Sequence, residues 1–465
     1  MTHQHLITAT KAAFLLSCAV PISMPAVAKD SDNACNPETH GAVPNDGKLD
    51  MVAIQAAIDA CGGTGGIVRL SAGEWHTGLL TLRPAMEFHL AAGAVLTLVP
   101  DMKLYPERIV KRPDGTVEDF HTAIHAPDAR DLVISGPGRI EGNGEKFWDA
   151  NFYELGIPRS TLPRPAPLLS ISDCSNVSIS GLQFNNIPAY ALSINRCEDV
   201  RLVDITIRND PRSPNTDGIQ IRDSADIFIT RADIKTGDDG IVLKSRLAPI
   251  DNLVVTDSII ESDDAAIKFG TRSEVGVTNS IFSDIVIRNS RYGIAIFQID
   301  GGAHLDNRFH NMLIETGGRH ARQYPIFIDI DRREPDDSWG RVERLTFSDI
   351  DIKTTGASLL AGNANAPIRD LVLSDINVNL PNGEIDLSTG RKPRGSVTIA
   401  AQEDSADYSR QSAHFAFAHI QGLVLDNVSV NPGAKGTKRQ PSFMNDVTAV
   451  GNVDVIGPKQ PIMQD

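Results

Sequence analysis

Three aspartates in the middle of the chain stand where acid–base chemistry can be done. Asp217 lies in Asn-Thr-Asp-Gly at 215–218, and Asp238 and Asp239 lie in Gly-Asp-Asp-Gly at 237–240. Ile-Gln-Ile follows the first motif and Ile-Val-Leu the second, the alternation of a half-buried strand. The two motifs therefore open successive strands of a stacked structure and set three carboxylates side by side on one surface. Like charges so close are costly to build, so a chain that carries them uses them as acid and base or to hold a cation. Cations accompany them. Alternation turns Ile241, Leu243, Ile267 and Phe269 inward and Lys244 and Lys268 outward. Arg222 is outward by the same count, and Arg272 follows Lys268. Asn215, Arg222, Lys244, Lys268 and Arg272 are thus candidate substrate-binding residues. Asp223, Asp226, Asp233 and Asp257 read as caps of turns, and the pair Asp263–Asp264 as a turn.

The elements that position these residues form a loose repeat. One apolar series reads LLSIS from 168, ALSIN from 191, GIQIR from 218, GIVLK from 240, AIKFG from 266, GIAIF from 293 and PIFID from 325. A second runs between them: NVSISGLQF, DVRLVDITI, DIFITRADI, NLVVTDSII, and on to GLVLDNVSV. Asn or Asp recurs at its turns, where left-handed backbone and side-chain capping favour them. A strand pair in every such repeat predicts an all-β fold, a parallel β-helix whose coils bury a shared Ile/Leu/Val core by stacking. Propeller blades are longer and carry their own signatures, and no long amphipathic helices separate the strands as a doubly wound fold requires. One helix is expected, Asp50 to Cys61, with Ile54, Ala57, Ile58 and Cys61 on one face, Asp50 as N-cap and Gly62-Gly63 as stop. It would cover the open N-terminal end of the solenoid. After about residue 380, polar Gly/Pro-containing stretches (NLPNGEIDLSTGRKPRGS, NPGAKGTKRQPS) read as loops on the last coils.

Residues 1–28 contain one charged residue, Lys11, an apolar run AAFLLSCAV and the small-x-small site Ala26-Val27-Ala28. They read as a secretory signal, leaving a single domain over 29–465 in the periplasm or outside the cell. Without Lys11 the chain has 43 Lys+Arg against 59 Asp+Glu, a net charge of −16. That charge argues against nucleic acid and anionic membranes as partners but does not exclude an acidic polysaccharide, which a local cation cluster can hold. Four cysteines remain: Cys35 and Cys61 can tie the N-terminal tail to the helix, and Cys174 and Cys197 occupy equivalent places in successive repeats, bonded or stacked. The 12 His residues show no metal-ligand spacing. No cofactor or metal is expected, and the chain is expected to act as a monomer.

With these motifs in place the sequence resembles glycoside hydrolase family 28, the polygalacturonase family of right-handed parallel β-helix enzymes. The opening THGAVPNDGKLDMVAIQAAIDACGGTGGIVRLSAGEWHTGLLTL, the segment ISGPGRIEGNGEKFWD, and SPNTDGIQI and TGDDGIVLKS carry the resemblance across nearly the whole chain after the signal. It implies that Asp238 is the general acid, that Asp217 and Asp239 activate water, and that Asn215 orients a carboxyl group or binds sugar. Inverting hydrolysis also implies acid and base about 6.5–9.5 Å apart. Trp148, Trp339 and Tyr292 are candidates to stack on sugar rings.

Two motifs depart from the family. Its Gly-His-Gly aligns with SDDAAIKFGT, placing Ala265 at the His position. Its Arg-Ile-Lys aligns within GIAIF, placing Ala295 and Phe297 at the Arg and Lys positions. The expected activity is hydrolysis of a plant or algal cell-wall polysaccharide, pectic or another acidic glycan. The alternatives are a calcium-dependent polysaccharide lyase and a non-catalytic glycan-binding β-helix.

Overall fold

The apolar repeats form short parallel strands that stack coil upon coil into a right-handed parallel β-helix. This computed structural model describes residues 34–111, 117–149, 160–320, 322–381, 383–384, 408 and 410–456. The secretory signal expected at 1–28, and most of the polar stretch at 379–396, lie outside the described residues. The sheet that carries the aspartate motifs contains Leu192–Asn195, Ile219–Arg222, Ile241–Lys244, Ala265–Phe269, Tyr292–Gln298 and Tyr324–Ile330. Leu192, Ile219, Ile241, Ile267, Ile294 and Ile326 stand in register along it. Each is fully buried, and together they line one wall of the continuous apolar core.

The coils that lead into the site, from Leu169 to Thr236, hold three strands where the sequence reading expects a pair. Three runs of the second apolar series split in two: Ser175–Ser180 and Gln183–Asn185, Glu198–Val203 and Thr206–Arg208, Ala225–Thr230 and Asp233–Thr236. The later runs Ile281–Ser290, Arg341–Lys353 and Ile368–Asn379 stay whole, as expected. Left-handed residues make the corners: Gly181 (φ 76°), Asp204 (φ 57°) and Arg231 (φ 54°). One coil on, Asp257 (φ 52°) bends the run without interrupting the strand Ile250–Ser262. Most other non-glycine residues with positive φ are Asn or Asp, whose short polar side chains tolerate that backbone. Some also bond from coil to coil, as Asn176 Nδ2 does to Asp131 Oδ1 at 2.6 Å and Asn252 Nδ2 to Asp226 Oδ1 at 3.1 Å.

The helix spans Met51–Cys61 and buries Ala53, Ile54, Ala57, Ile58 and Cys61 against the first coil. Asp50 occupies the N-cap position, but its carboxylate makes no cap bond. It accepts instead from the amides of Val43 (3.2 Å) and His76 (3.0 Å), fastening the tail to the first coil. Cys35–Cys61 and Cys174–Cys197 are both disulfides.

The strict in–out alternation read from sequence fails at the entry to the site strands. Ala266 and Ile267, adjacent in sequence, both belong to the core, whereas Ala265 belongs to a separate apolar cluster. Gly240 stands one coil before Ala266, and a Cβ there would come within 2.5 Å of Ile260 Cγ2 and 2.6 Å of the Ala266 carbonyl oxygen. A Cβ at Gly218 would come within 2.5 Å of the Gly240 carbonyl oxygen. Glycine at these two inward positions lets the coils approach, and the preceding residues, Asp217 and Asp239, are thereby turned outward.

Candidate active site

Asp217 and Asp239 precede these glycines on adjacent coils, linked by the Gly218 amide bonding to the Asp239 carbonyl at 2.8 Å. Asp238 joins them, and the three carboxylates each present an oxygen within 4.8 Å of the other two. The 6.5–9.5 Å expected from sequence is a separation of whole carboxyl groups, which this spacing of single oxygens does not contradict. The turn is held from behind: Thr236 Oγ1 and Ser262 Oγ both donate to the Asp238 carbonyl at 2.7 Å, and the Gly237 amide donates to Thr216 Oγ1 at 3.1 Å.

Each carboxylate has its own partners. Asp217 Oδ2 accepts from Gln220 Nε2 at 3.2 Å. Asp238 Oδ1 accepts from the Asp239 amide at 3.0 Å and Asp238 Oδ2 from Asn215 Nδ2 at 3.2 Å. The Asn215 amide is fixed by Arg164, whose Nη2 donates to Asn215 Oδ1 at 2.8 Å. A guanidinium only donates, so the oxygen of Asn215 faces Arg164 and its NH₂ faces Asp238. Arg164 is itself anchored on the carbonyls of Pro214 (2.7 Å) and Pro188 (3.1 Å).

Asp239 is bound differently. The Lys268 ammonium lies 2.9 Å from Asp239 Oδ2 and 3.4 Å from Asp264 Oδ2, and Asp264 Oδ1 pairs with Arg291 at 3.0 Å. Lys268 thus leaves the outward face of its strand, as expected, but it is a buried counter-ion and not a solvated side chain. Asp264 belongs to this network as well as to the expected turn, the bend at 263–264. Its neighbour Asp263 pairs with Arg319 at 2.6 Å and His320 at 3.2 Å.

The three aspartates are electrostatically unequal. Burial, and then the negative charges of Asp217 and Asp239, push Asp238 well above the ordinary carboxyl range. Burial raises Asp239 to about 7 against the opposing charge of Lys268. Lys268 is disfavoured as a cation by burial, but Asp239, Asp264 and Asp238 outweigh this and hold its proton more tightly than usual. Lys268 lies 2.9 Å from Asp239, and its charge favours the ionised form of Asp239 more than that of Asp238. The three oxygens have the mutual spacing of a metal-ligand set, but one of the carboxylates, Asp239, already has the Lys268 ammonium as its cation.

Arg222, Lys244 and Arg272 come together at the far ends of the strands that the aspartate motifs open. With Arg246 and Thr271 they line a cavity of about 310 Å³. Asp223 has the capping role expected of it: its Oδ1 accepts from the amides of Arg246, Leu247 and Ala248 at 2.6, 2.9 and 3.3 Å. Ala265, Ala295 and Phe297 are buried with Tyr292, Tyr324, Phe327 and Leu359 in the second apolar cluster, on the outer side of the same sheet. The aromatic candidates are not free platforms. Trp148 is buried and donates its indole N–H to the Pro188 carbonyl at 2.8 Å. Tyr292 is buried and stacked on Tyr324, and Arg332 covers Trp339 at 4.5 Å from the ring centre.

Sequence reasoning missed Arg164, Gln220, Arg246 and Arg291. Gln220 carried a signal, since it faces outward one position before Ile221 on the strand that follows Asp217. Arg246 sits two residues beyond Lys244, past the end of the strand count. Arg164 carried none: it reaches the site from a segment 51 residues before Asn215.

The profile of the family described as Glycosyl hydrolases family 28 matches residues 110–389, which include every carboxylate of the site. The chain belongs to this family. Among its relatives, an exopolygalacturonase of Zea mays is 25% identical over 354 residues, covering 71% of this chain and 80% of that protein. An endo-polygalacturonase of Pectobacterium parmentieri is 26% identical over 377 residues, covering 74% and 89%. The solved family 28 exopolygalacturonase of Yersinia enterocolitica shares the fold with a TM-score of 0.67 at 17% identity, covering 91% of this chain and 78% of that one. This family 28 member is a polygalacturonase-like glycosidase, and its right-handed β-helix is the fold of such enzymes. Among the described residues no helix is long and apolar enough to cross a membrane.

Proposed function

We propose that this glycosidase is exported and hydrolyses a plant or algal cell-wall polysaccharide, with Asp238 as general acid and Asp217 and Asp239 as the water-activating pair. One observation carries the reading: of three crowded carboxylates, Asp239 is neutralised by Lys268, whereas Asp238 is raised by burial and by its two neighbours. Asp238 gives its proton to the glycosidic oxygen as the bond from that oxygen to the anomeric carbon breaks. A water held by Asp217 and Asp239 adds its oxygen to the anomeric carbon and releases a proton to one of them. Oxygens within 4.8 Å of each other are spanned by one water making two hydrogen bonds of about 2.8 Å. Attack from the face opposite the leaving group inverts the anomeric centre.

Asn215 positions Asp238, and Lys268 sets the charge of Asp239. Arg222, Lys244 and Arg272 contact the glycan. The positions where the family's uronate-binding residues align hold Ala265, Ala295 and Phe297, so plain homogalacturonan is a poor substrate in this reading. Export goes with residues 1–28, and the chain acts as a monomer on its polysaccharide without metal or cofactor.

Purified protein offered a panel of pectic and algal polysaccharides tests the reading, with the first product followed by proton NMR. New reducing ends of inverted configuration are expected. A retained configuration overturns the mechanism. A chelator-sensitive, UV-absorbing unsaturated product identifies a lyase instead, and binding without turnover, unchanged in Asp238→Asn, identifies a glycan-binding protein.

A further inference from the structure

Gln220 is the next outward side chain after Asp217 along its coil, since Gly218 and Ile219 between them both face the core. The two meet on the outer surface of the sheet, where Gln220 Nε2 donates to Asp217 Oδ2 at 3.2 Å. Among the described residues no other group hydrogen-bonds to the Asp217 side chain. Asp238 is better supplied, with the Asp239 amide on one oxygen and Asn215 on the other, and Asp239 has the Lys268 ammonium. On the next coil the register partner of Gln220 is Val242, whose side chain has no polar group. The donor for Asp239 therefore comes from a further coil, and the donor for Asp217 from its own strand.

The charges around Asp217 do not orient it. Asp238 and Asp239 repel it, and Lys244 and Arg164 attract it, all without a hydrogen bond. Such forces depend weakly on the turn of the carboxylate, whereas a hydrogen bond holds it within a narrow angle. The amide of Gln220 has one possible orientation here. An ionised carboxylate only accepts, so the NH₂ faces Asp217 and Oε1 faces away. Gln220 is 1% exposed, and among the described residues no donor reaches Oε1. A buried amide oxygen without a protein donor is costly, and a methionine of similar length would avoid that cost. What the amide provides and methionine cannot is the contact with Asp217.

We infer that Gln220 is a positioning residue for catalysis: its amide holds the Asp217 carboxylate at the angle from which it and Asp239 share one water. The inference rests on the hydrolase reading for that water. The amide is neutral, so it directs Asp217 without offsetting its charge, whereas Lys268 offsets the charge of Asp239. The water-activating pair is thus held by unlike partners, an amide on one carboxylate and an ammonium on the other. An ionised acid at position 220 would face Asp217 with oxygens only, and an apolar side chain would leave the carboxylate free to turn.

Kinetics of the full chain with Gln220→Met and Gln220→Glu test this, on the panel polysaccharide that the parent cleaves fastest. Both new side chains match glutamine in length. Gln220→Met should lower kcat about tenfold with KM changed less. The acid limb of kcat/KM should move up by roughly one pH unit, because the lost donor favoured the ionised carboxylate. Gln220→Glu should move the limb further by adding a charge of the same sign. A limb unmoved in both variants, or a loss confined to KM, overturns the inference, and Gln220→Met carries this test alone if Gln220→Glu does not fold. Thermal melts from pH 4 to 8 read the contact without turnover. The deficit of Gln220→Glu against its parent should grow with pH and should shrink when Asp217→Asn is combined with it. An equal deficit with and without Asp217→Asn overturns the contact. Product of retained configuration from the parent would sink the hydrolase reading and leave the contact to the melts.

Discussion

The Lys268 ammonium sits 2.9 Å from Asp239 Oδ2, with the two side chains only 7% and 6% exposed. They are not register partners, since Lys268 pairs with Val242 on the neighbouring strand. The side chain runs diagonally back across the sheet to reach the carboxylate. That diagonal separates the roles of Asp238 and Asp239, which are adjacent in sequence and alike in chemistry.

Lys268→Met should therefore change the pH profile of kcat/KM. Without the ammonium, Asp239 holds its proton to higher pH, and the acid limb should move up by roughly one to three pH units. Lys268→Arg keeps the charge and should restore most of the limb. A limb that stays in place in Lys268→Met would show that Asp239 does not depend on this contact.

Asp238→Asn should lower kcat by about 10²–10⁴-fold. The same variant should be more stable than the parent at neutral pH. A carboxyl whose folded pKa is raised binds more protons in the folded chain than in the unfolded one between the two pKa values. Its presence therefore lowers stability as pH rises above the ordinary value of 3.8. Thermal melts from pH 4 to 8 should show the advantage of Asn growing with pH, and a constant difference would contradict the raised pKa.

Arg164→Met should act through Asn215. It removes the donor at 2.8 Å that fixes the Asn215 amide, so Asp238 loses a defined partner without losing its own atoms. A fall in kcat of roughly tenfold, with KM changed less, is the expected kinetic signature. A change confined to KM would place Arg164 in substrate binding instead.

Unmodified homogalacturonan should be cleaved poorly relative to the best glycan of the panel. Ala265, Ala295 and Phe297 offer no charge and no side-chain donor, and two missing charge-assisted contacts of about 1.5–3 kcal/mol each correspond to a hundredfold or more. Efficient cleavage of this polymer in a reducing-end assay would show that uronate is bound elsewhere in the cleft.

Gly240→Ala should destabilise the folded chain by about 1–3 kcal/mol, because overpacking against backbone has little room to relax. The clash is with Ile260 and the Ala266 carbonyl of the next coil. A denaturant midpoint equal to that of the parent would show that the coils can separate there.

Much of this was legible in the chain itself. The repeat of apolar runs with Asn and Asp at the corners determined a stacked parallel solenoid, because strand alternation and left-handed turns are local properties. The spacing of Asp217 from Asp238 and Asp239 matched one coil, and stacking at a fixed rise brings such positions together. The helix face of Ile54, Ala57, Ile58 and Cys61 followed from its period in the same way. What only the tertiary structure decided were relations across coils and loops. The third strand of the coils before Asp238 depended on corners such as Gly181 and Asp204 that split a run with no change in composition. Alternation placed Lys268 outward, but its burial against Asp239 depended on the glycine column that turned Asp239 to meet it. Arg164 came from a distant loop, Arg246 from a turn, and Ala265 and Phe297 were buried by side chains from later coils. Sequence fixes direction along a strand, whereas the company a side chain keeps is set by the residues that other coils fold against it.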